Sequence, residues 1–85
     1  MITVKFFASL REDIGCDSLN VPAQTLAQLR STLSEQLVER ARQALWADGV
    51  RMAVNQQFLE SDWRTASLAI EDTAEIAFLP PVTGG

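Results

Sequence analysis

The sequence predicts an α+β domain in which a single sheet is covered on one face by a helical layer. Apolar and polar residues alternate near both ends of the chain, over residues 2–7 and 75–79, and again over residues 51–55. Between them, leucines recur at helical spacing over residues 26–37. Alternation is the period of a half-buried strand, whereas spacings of three and four indicate a helix that packs on a sheet. A chain of 85 residues is long enough for one hydrophobic core and too short for two.

The first strand and its return are predicted at the amino terminus. The alternation over residues 2–6 places Ile2, Val4 and Phe6 on the side of the strand that faces the core. Phe7 is therefore expected to point away from the core. Residues 9–17 are polar and include glycine, which indicates a turn region with room for a single helical turn. Residues 18–21 offer a short second strand that ends at Pro22. We therefore expect a first hairpin.

A helix is predicted from Thr25 onward. Thr25 and Gln28 have the spacing of a capping box, in which the threonine hydroxyl accepts the Gln28 amide proton and the glutamine side chain reaches back. The helical period continues past Leu37 as a second or continued helix that stops at Gly49. The apolar residues assigned to this continuation are Val38, Ala41, Leu45 and Trp46.

The second half of the chain is predicted to complete the sheet. Residues 51–55 form a strand, and the polar residues 55–57 turn it into a short return at Phe58 and Leu59. Residues 60–74 are polar and irregular, and residues 75–79 form the last strand. We expect Ile76 and Phe78 to face one side of that strand and Ala77 and Leu79 the other, with Trp46 and Trp63 covering edges of the core.

Composition excludes several classes of site. The chain has no histidine and one cysteine, Cys16, so it lacks the ligands for a zinc site or an iron–sulfur cluster and the pairs for Ser–His or Cys–His catalysis. A formal charge of −4 argues against nucleic acid and anionic membrane surfaces as partners. The apolar start is too short for a membrane span. We expect no metal site, no targeting segment and a reducing, cytoplasmic compartment.

Acidic residues are concentrated late in the chain, where a single arginine, Arg64, accompanies them. Two interpretations remain open: the acids steer a basic partner surface toward this end, or they form an ordinary solvated face. The acids concerned are Glu60, Asp62, Glu71, Asp72 and Glu75.

The last six residues are predicted to form an extended tail, residues 80–85, beyond a domain of residues 1–79. Pro80 and Pro81 lack backbone donors and favour an extended conformation, so they end sheet pairing. Six extended residues span at most roughly 20 Å. Gly84 and Gly85 have no side chains, so the terminal carboxylate can enter a channel too narrow for a Cβ. A cloning scar or a frayed end would explain the glycines but not the proline spacer before them.

The chain resembles the ubiquitin-like β-grasp sulfur carriers, specifically the small subunits of molybdopterin synthase. The resemblance covers nearly the whole chain: the Phe6-Phe7-Ala8 opening, Ala53-Val54-Asn55-Gln56 in the central strand, and the end from Phe78-Leu79 through Pro80-Pro81-Val82-Thr83-Gly84-Gly85. The end motif is its most specific part. The resemblance implies a β-grasp fold with a mixed sheet covered on one face by helix.

The resemblance also implies a reaction cycle at the carboxyl end. An adenylating enzyme uses MgATP to activate the Gly85 carboxylate, and a sulfur donor protein converts the acyl-adenylate to a thiocarboxylate. The large subunit of the synthase then accepts the loaded tail, and the sulfur attacks cyclic pyranopterin monophosphate. On this interpretation Gly85 is a reacting group, Gly84 is required for its passage, and the chain itself is not catalytic and binds no cofactor. The family implies a heterotetramer of two small and two large subunits.

Partner binding is expected to use apolar residues near the tail. The strand period nominates Phe7 and Leu79, with Leu59 beside the return strand as a third, and the tail segment Pro80-Pro81-Val82-Thr83 would enter the partner. The resemblance implies that the adenylating enzyme and the large subunit use the same surface. Phe7 could instead pack under a loop.

Three alternatives compete with this assignment. A diglycine end also suits a sulfur carrier of the thiamine pathway, a ubiquitin-like protein modifier joined to lysines of its targets, or a purely non-covalent interaction domain. The chain has a single lysine, Lys5, which leaves little scope for building chains of modifiers.

Overall fold

A computed structural model of the protein describes residues 1–81. Five strands and three helices lie along these residues. They are β1 (Ile2–Phe6), α1 (Ser9–Ile14), β2 (Ser18–Val21), α2 (Leu26–Gln36), α3 (Glu39–Leu45), β3 (Arg51–Val54), β4 (Gln57–Phe58) and β5 (Glu75–Leu79).

The five strands form one mixed sheet in the order β2-β1-β5-β3-β4. The first and last strands, β1 and β5, run parallel in the middle of the sheet, and every other pairing is antiparallel. The predicted α+β fold with a mixed sheet is therefore confirmed. Because β1 and β5 are neighbours, the chain after β5 leaves from the centre of the sheet rather than from its edge.

The core lies between the inner face of the sheet and the helices. Alternate residues of β1 and β5 are buried, and α2 contributes Leu26, Leu29 and Leu33, each without solvent exposure. Burying a leucine side chain contributes about 1.5–3 kcal/mol, so this stripe is the main attachment of α2 to the sheet.

The amino-terminal cap of α2 forms as the sequence predicts. The Gln28 backbone N–H donates to Thr25 Oγ1 at 3.1 Å. The Gln28 side chain also reaches back, but its Oε1 accepts from the backbone N–H of Gln24 at 2.7 Å, one residue before the cap. The Thr25 backbone itself bridges to Ala69. The cap thus joins α2 to the irregular segment that follows β4.

The helical turn expected after β1 and a second helix after Leu37 both form, and one feature, the position of Val38, differs from the prediction. The turn region after β1 contains a six-residue helix, α1. The helical region breaks at Leu37 and Val38, both in extended conformation, and Val38 is 71% exposed rather than part of the apolar stripe. The break redirects the chain so that α3 packs against α1.

Trp63 lies in the core and not at its edge, although it belongs to a polar, irregular segment. Its ring is 1% exposed and stands 4.7 Å from the Phe78 ring and 4.9 Å from the Trp46 ring. Trp46 is half-buried and covers the core edge as expected. An isolated tryptophan among polar residues offers no periodic pattern, so the sequence could not indicate its depth.

Replacing Thr25 with alanine should lower the free energy of unfolding by about 1 kcal/mol, because the Gln28 amide loses its partner. Urea denaturation would measure the change. Ser31→Ala, on the exposed surface of the same helix, is the matched control and should change stability by no more than about 0.5 kcal/mol. Equal losses in the two variants would contradict the capping role.

Candidate functional site

The outer face of the sheet divides into a polar half and an apolar half. At the start of β5, Lys5 Nζ lies 3.3 Å from Glu75 Oε1, in an ion pair between neighbouring strands. At the other end of β5, Leu79 is paired with Arg51 of β3. The apolar half lies at this second end of β5, around Leu79, and the C-terminal segment departs from it.

A groove of about 380 Å³ lies on this apolar half. Its walls come from the end of β1, from β3, from β4 and from the end of β5. We call it the tail-side groove, and it is lined by Phe7, Ala8, Arg51, Phe58, Leu79, Pro80 and Pro81. Four of the residues predicted to bind partners, Phe7, Leu79, Pro80 and Pro81, are thereby brought together.

Phe7 is held outward by the backbone on both sides of it. Its N–H donates to the Phe78 carbonyl at 3.1 Å, and its own carbonyl accepts from Leu10 N–H at 3.1 Å. Between them Ala8 has a φ of 52°, a conformation that L-residues rarely adopt and that costs on the order of 1–3 kcal/mol. The turn keeps the Phe7 side chain 43% exposed, so Phe7 is not packed away under a loop.

Phe58 belongs to the groove, although the residue predicted from the sequence to bind partners here is its neighbour Leu59. The β3–β4 hairpin turns at Asn55 and Gln56, both with positive φ, and this two-residue turn sets Phe58 opposite Ala53 on the outer face. Phe58 is 47% exposed. Leu59 is half-buried against the core on the opposite side and does not line the groove. A register taken from the two-residue turn would have found Phe58.

Among residues 1–81, Arg51 is the only charged residue lining the tail-side groove. Its guanidinium carbon lies 4.3 Å from the centre of the Phe58 ring, in a cation–π contact. This contact covers part of the ring and holds a positive charge beside an apolar surface. The groove therefore combines apolar walls with one hydrogen-bond donor group suited to an acidic partner residue.

The predicted reacting end lies outside the described residues. These positions are Val82, Thr83, Gly84 and Gly85. The structure describes the chain up to Pro81, where the segment leaves the sheet beside the groove.

Three of the five late acidic residues, Asp62, Asp72 and Glu75, form ion pairs with local partners. Arg64 donates to Asp62 Oδ2 at 2.7 Å and to Asp48 Oδ1 at 2.9 Å, and it also donates to the Trp46 carbonyl at 2.9 Å. Asp72 pairs with the amino terminus of Met1 at 3.1 Å. These pairs, with the Lys5–Glu75 pair, favour the interpretation of an ordinary solvated face over that of a surface for a basic partner.

The contacts around Arg64 shift two protonation equilibria. Hydrogen bonds from the Arg64 side chain and then from its backbone N–H lower the pKa of Asp62 to about 2. Hydrogen bonds to Asp62 and then to Asp48 raise the pKa of Arg64 above its usual value. Both groups therefore stay charged over the physiological range, and they fix residues 60–66 against the end of α3.

Residues 1–81 contain no cluster of three or more side chains of the metal-binding types. Cys16 is half-buried at the edge of the core. None of the helices in the described part of the chain is long and apolar enough to cross a membrane.

The mixed sheet under helices, with its C-terminal segment leaving from the central strand, defines a ubiquitin-like β-grasp domain. Residues 4–85 match the model of the ThiS family. The chain belongs to that family.

Comparison with individual proteins agrees with this assignment. The chain is 39% identical, over 100% of both chains, to a curated Escherichia coli (strain K12) protein named molybdopterin synthase sulfur carrier subunit. Its fold is similar to that of small archaeal modifier protein 1 from Methanosarcina acetivorans, with a TM-score of 0.79 at 21% identity, covering 99% of this chain and 95% of that one. It is also similar to a chain of the complex of subunits 1 and 2 of molybdopterin-converting factor from Helicobacter pylori 26695, with a TM-score of 0.68 at 27% identity, covering 99% and 97%.

Replacing Asp62 with asparagine should lower stability at neutral pH and have less effect in acid. The folded-state pKa of about 2 lies below the ordinary value of 3.8, so the contribution of Asp62 is fully present above pH 3.8 and is lost as the pH falls through about 2. Urea denaturation of both proteins at stepped pH would measure the gap between them. Glu60→Gln, also on an exposed acid, is the control. A gap that stays constant down to about pH 2 would contradict the role of the Asp62 charge.

Proposed function

We propose that this chain is the sulfur carrier of a molybdopterin synthase, and that its C-terminal carboxylate is the group that carries the sulfur. One observation supports the proposal above the others: the tail-side groove is exposed directly beside the base of the C-terminal segment. A partner that binds the groove would have that segment within reach of its own active site. The full-length similarity to a relative named as a sulfur carrier subunit supports sulfur as the cargo.

The chemistry requires activation before sulfur can enter. In the proposed cycle the Gly85 carboxylate attacks the α-phosphate of MgATP in an adenylating enzyme and releases pyrophosphate. Hydrosulfide supplied by a donor protein then attacks the acyl carbon and displaces AMP, which leaves a thiocarboxylate. In the large subunit this sulfur attacks cyclic pyranopterin monophosphate, and hydrolysis restores the carboxylate. The proposed carrier thus binds no cofactor itself, and its dependence on ATP and reduced sulfur is consistent with the cytoplasm.

Within this cycle the chain contributes positioning rather than acid–base catalysis. The reacting atoms belong to Gly85, and Gly84 gives them passage through a narrow channel. Arg51, a charged residue of the groove, lies against Phe58 at the proposed docking surface. The catalytic acids and bases are therefore assigned to the partners.

The tail-side groove is proposed as the docking surface for both the adenylating enzyme and the large subunit. Phe7, Phe58 and Leu79 present apolar surface there, and exposed aromatic side chains of this kind are common anchors of protein interfaces. Use of one surface by two partners makes their binding mutually exclusive. An unloaded carrier must then leave the large subunit before it can be charged again. The proposed assembly is a heterotetramer of two carriers and two large subunits.

A protein-modifier function is the second candidate, because the fold is shared with small archaeal modifier protein 1. At that level of identity the likeness concerns the fold alone. The two functions differ in the product at the C-terminus, a thiocarboxylate in one case and an isopeptide bond in the other.

Replacing Phe7 or Phe58 with serine should weaken binding to the large subunit by about 2 kcal/mol, or roughly thirtyfold in Kd, because an anchor of the groove is lost. Isothermal titration calorimetry would measure the affinity. Val38→Ser is the matched control, since Val38 is 71% exposed but does not line the groove. Leu59→Ser should act mainly through stability because Leu59 packs on the core. Unchanged affinity in both groove variants would contradict the docking surface.

Deleting Gly85 should abolish sulfur transfer while leaving the fold and docking intact. The carboxylate of the shortened chain would lie about 3.5 Å short of the position that the Gly85 carboxylate reaches. Intact-mass spectrometry after incubation with the adenylating enzyme, MgATP and sulfide would detect the exchange of oxygen for sulfur in the full-length chain. An isopeptide adduct in its place would support the modifier function. Molybdopterin synthesis by the truncated chain would contradict the carrier mechanism.

A further inference from the structure

The turn between α3 and β3 approaches the base of the C-terminal segment closely at Gly49. A Cβ built on Gly49 would lie 2.7 Å from Pro81 Cβ, 3.4 Å from Pro81 Cγ and 3.8 Å from Pro81 Cα. A contact of 2.7 Å is shorter than real side chains tolerate, so any other residue at this position would displace Pro81. The Pro81 ring thus rests on the bare backbone of Gly49.

The register of the sheet explains why these two residues meet. Arg51 and Leu79 are partners in the antiparallel pairing of β3 with β5. Continuing this register by two residues sets Gly49 opposite Pro81. Pro80 and Pro81 have no N–H to donate, so hydrogen bonding cannot extend the ladder. Where the chain departs from the sheet, packing of Pro81 on Gly49 takes the place of the missing strand hydrogen bonds.

We propose that Gly49 is a positioning residue for sulfur transfer: its missing side chain forms the seat for Pro81 and so fixes the point from which the last four residues start toward a partner's active site. This inference rests on the proposed function. Fixing the start of a short segment limits where its reactive end can lie, and small displacements of a reacting group slow a reaction strongly.

A competing explanation is that Gly49 is required only by its backbone conformation, since its φ is +89°. The chain contains a matched control for this explanation. Gly15 has a φ of +91°, and a Cβ there would meet nothing within 4 Å. Alanine strains the backbone at both positions, but it collides with the C-terminal segment only at Gly49.

The experiment compares Gly49→Ala with Gly15→Ala in the full chain. Loading by the adenylating enzyme with MgATP and sulfide is followed by intact-mass spectrometry, and stability by thermal unfolding. We expect similar decreases in Tm for the two variants. We expect kcat for loading to fall on the order of tenfold or more in Gly49→Ala, with KM for the carrier within about twofold, because the atoms nearest to the added Cβ belong to Pro81 and not to Phe7, Phe58 or Leu79. Gly15→Ala should load at the wild-type rate.

A second variant keeps the test decisive. Pro81→Gly removes the ring that uses the seat, so it should slow loading itself, and adding Gly49→Ala to it should slow loading no further. The proposal that Gly49 positions Pro81 would be contradicted by equal loading of Gly49→Ala and Gly15→Ala. It would also be contradicted if the effects of Gly49→Ala and Pro81→Gly were additive. A wild-type chain that never gains sulfur would instead overturn the proposed function, so the two failures are distinguishable.

Discussion

The parallel pairing of the first and last strands is the interaction on which the rest of the molecule depends. It joins Thr3 to Glu75 and Phe6 to Phe78, and the Phe6 and Phe78 rings stack inside with their centres 5.9 Å apart. Because both strands end at the same edge, Phe7 and Leu79 emerge side by side. The groove and the departure point of the C-terminal segment are therefore consequences of one pairing.

The same arrangement separates recognition from chemistry. In the proposed function, recognition uses side chains that the sheet and a strained turn at Ala8 hold in place, while the group that carries the sulfur is a carboxylate without a side chain. A domain this small has little structure left to wall an active site. A rigid surface beside a bare carboxyl end allows such a domain to take part in covalent chemistry through its partners.

Most of the fold followed from the sequence because its elements carry strong periodic patterns. The alternation in β1 and β5 and the leucines of α2 each satisfy one period over several residues. The structure differs from the predictions at positions that tertiary contacts determine. Trp63 packs in the core against Phe78 and Trp46. The β3–β4 turn places Phe58 rather than Leu59 in the groove. The contact of Gly49 with Pro81 depends on strand register, which no local pattern specifies.

The central position of β5 also makes the sheet depend on the strand that comes last among the described residues. Its neighbours β1 and β3 come from earlier parts of the chain. Such long-range pairing forms only after residues far apart in the chain have been brought together, which makes it a slow part of folding. A chain that stops before β5 would lack Leu79 and the two prolines that line the groove, so the groove is complete only when this strand has taken its place in the sheet.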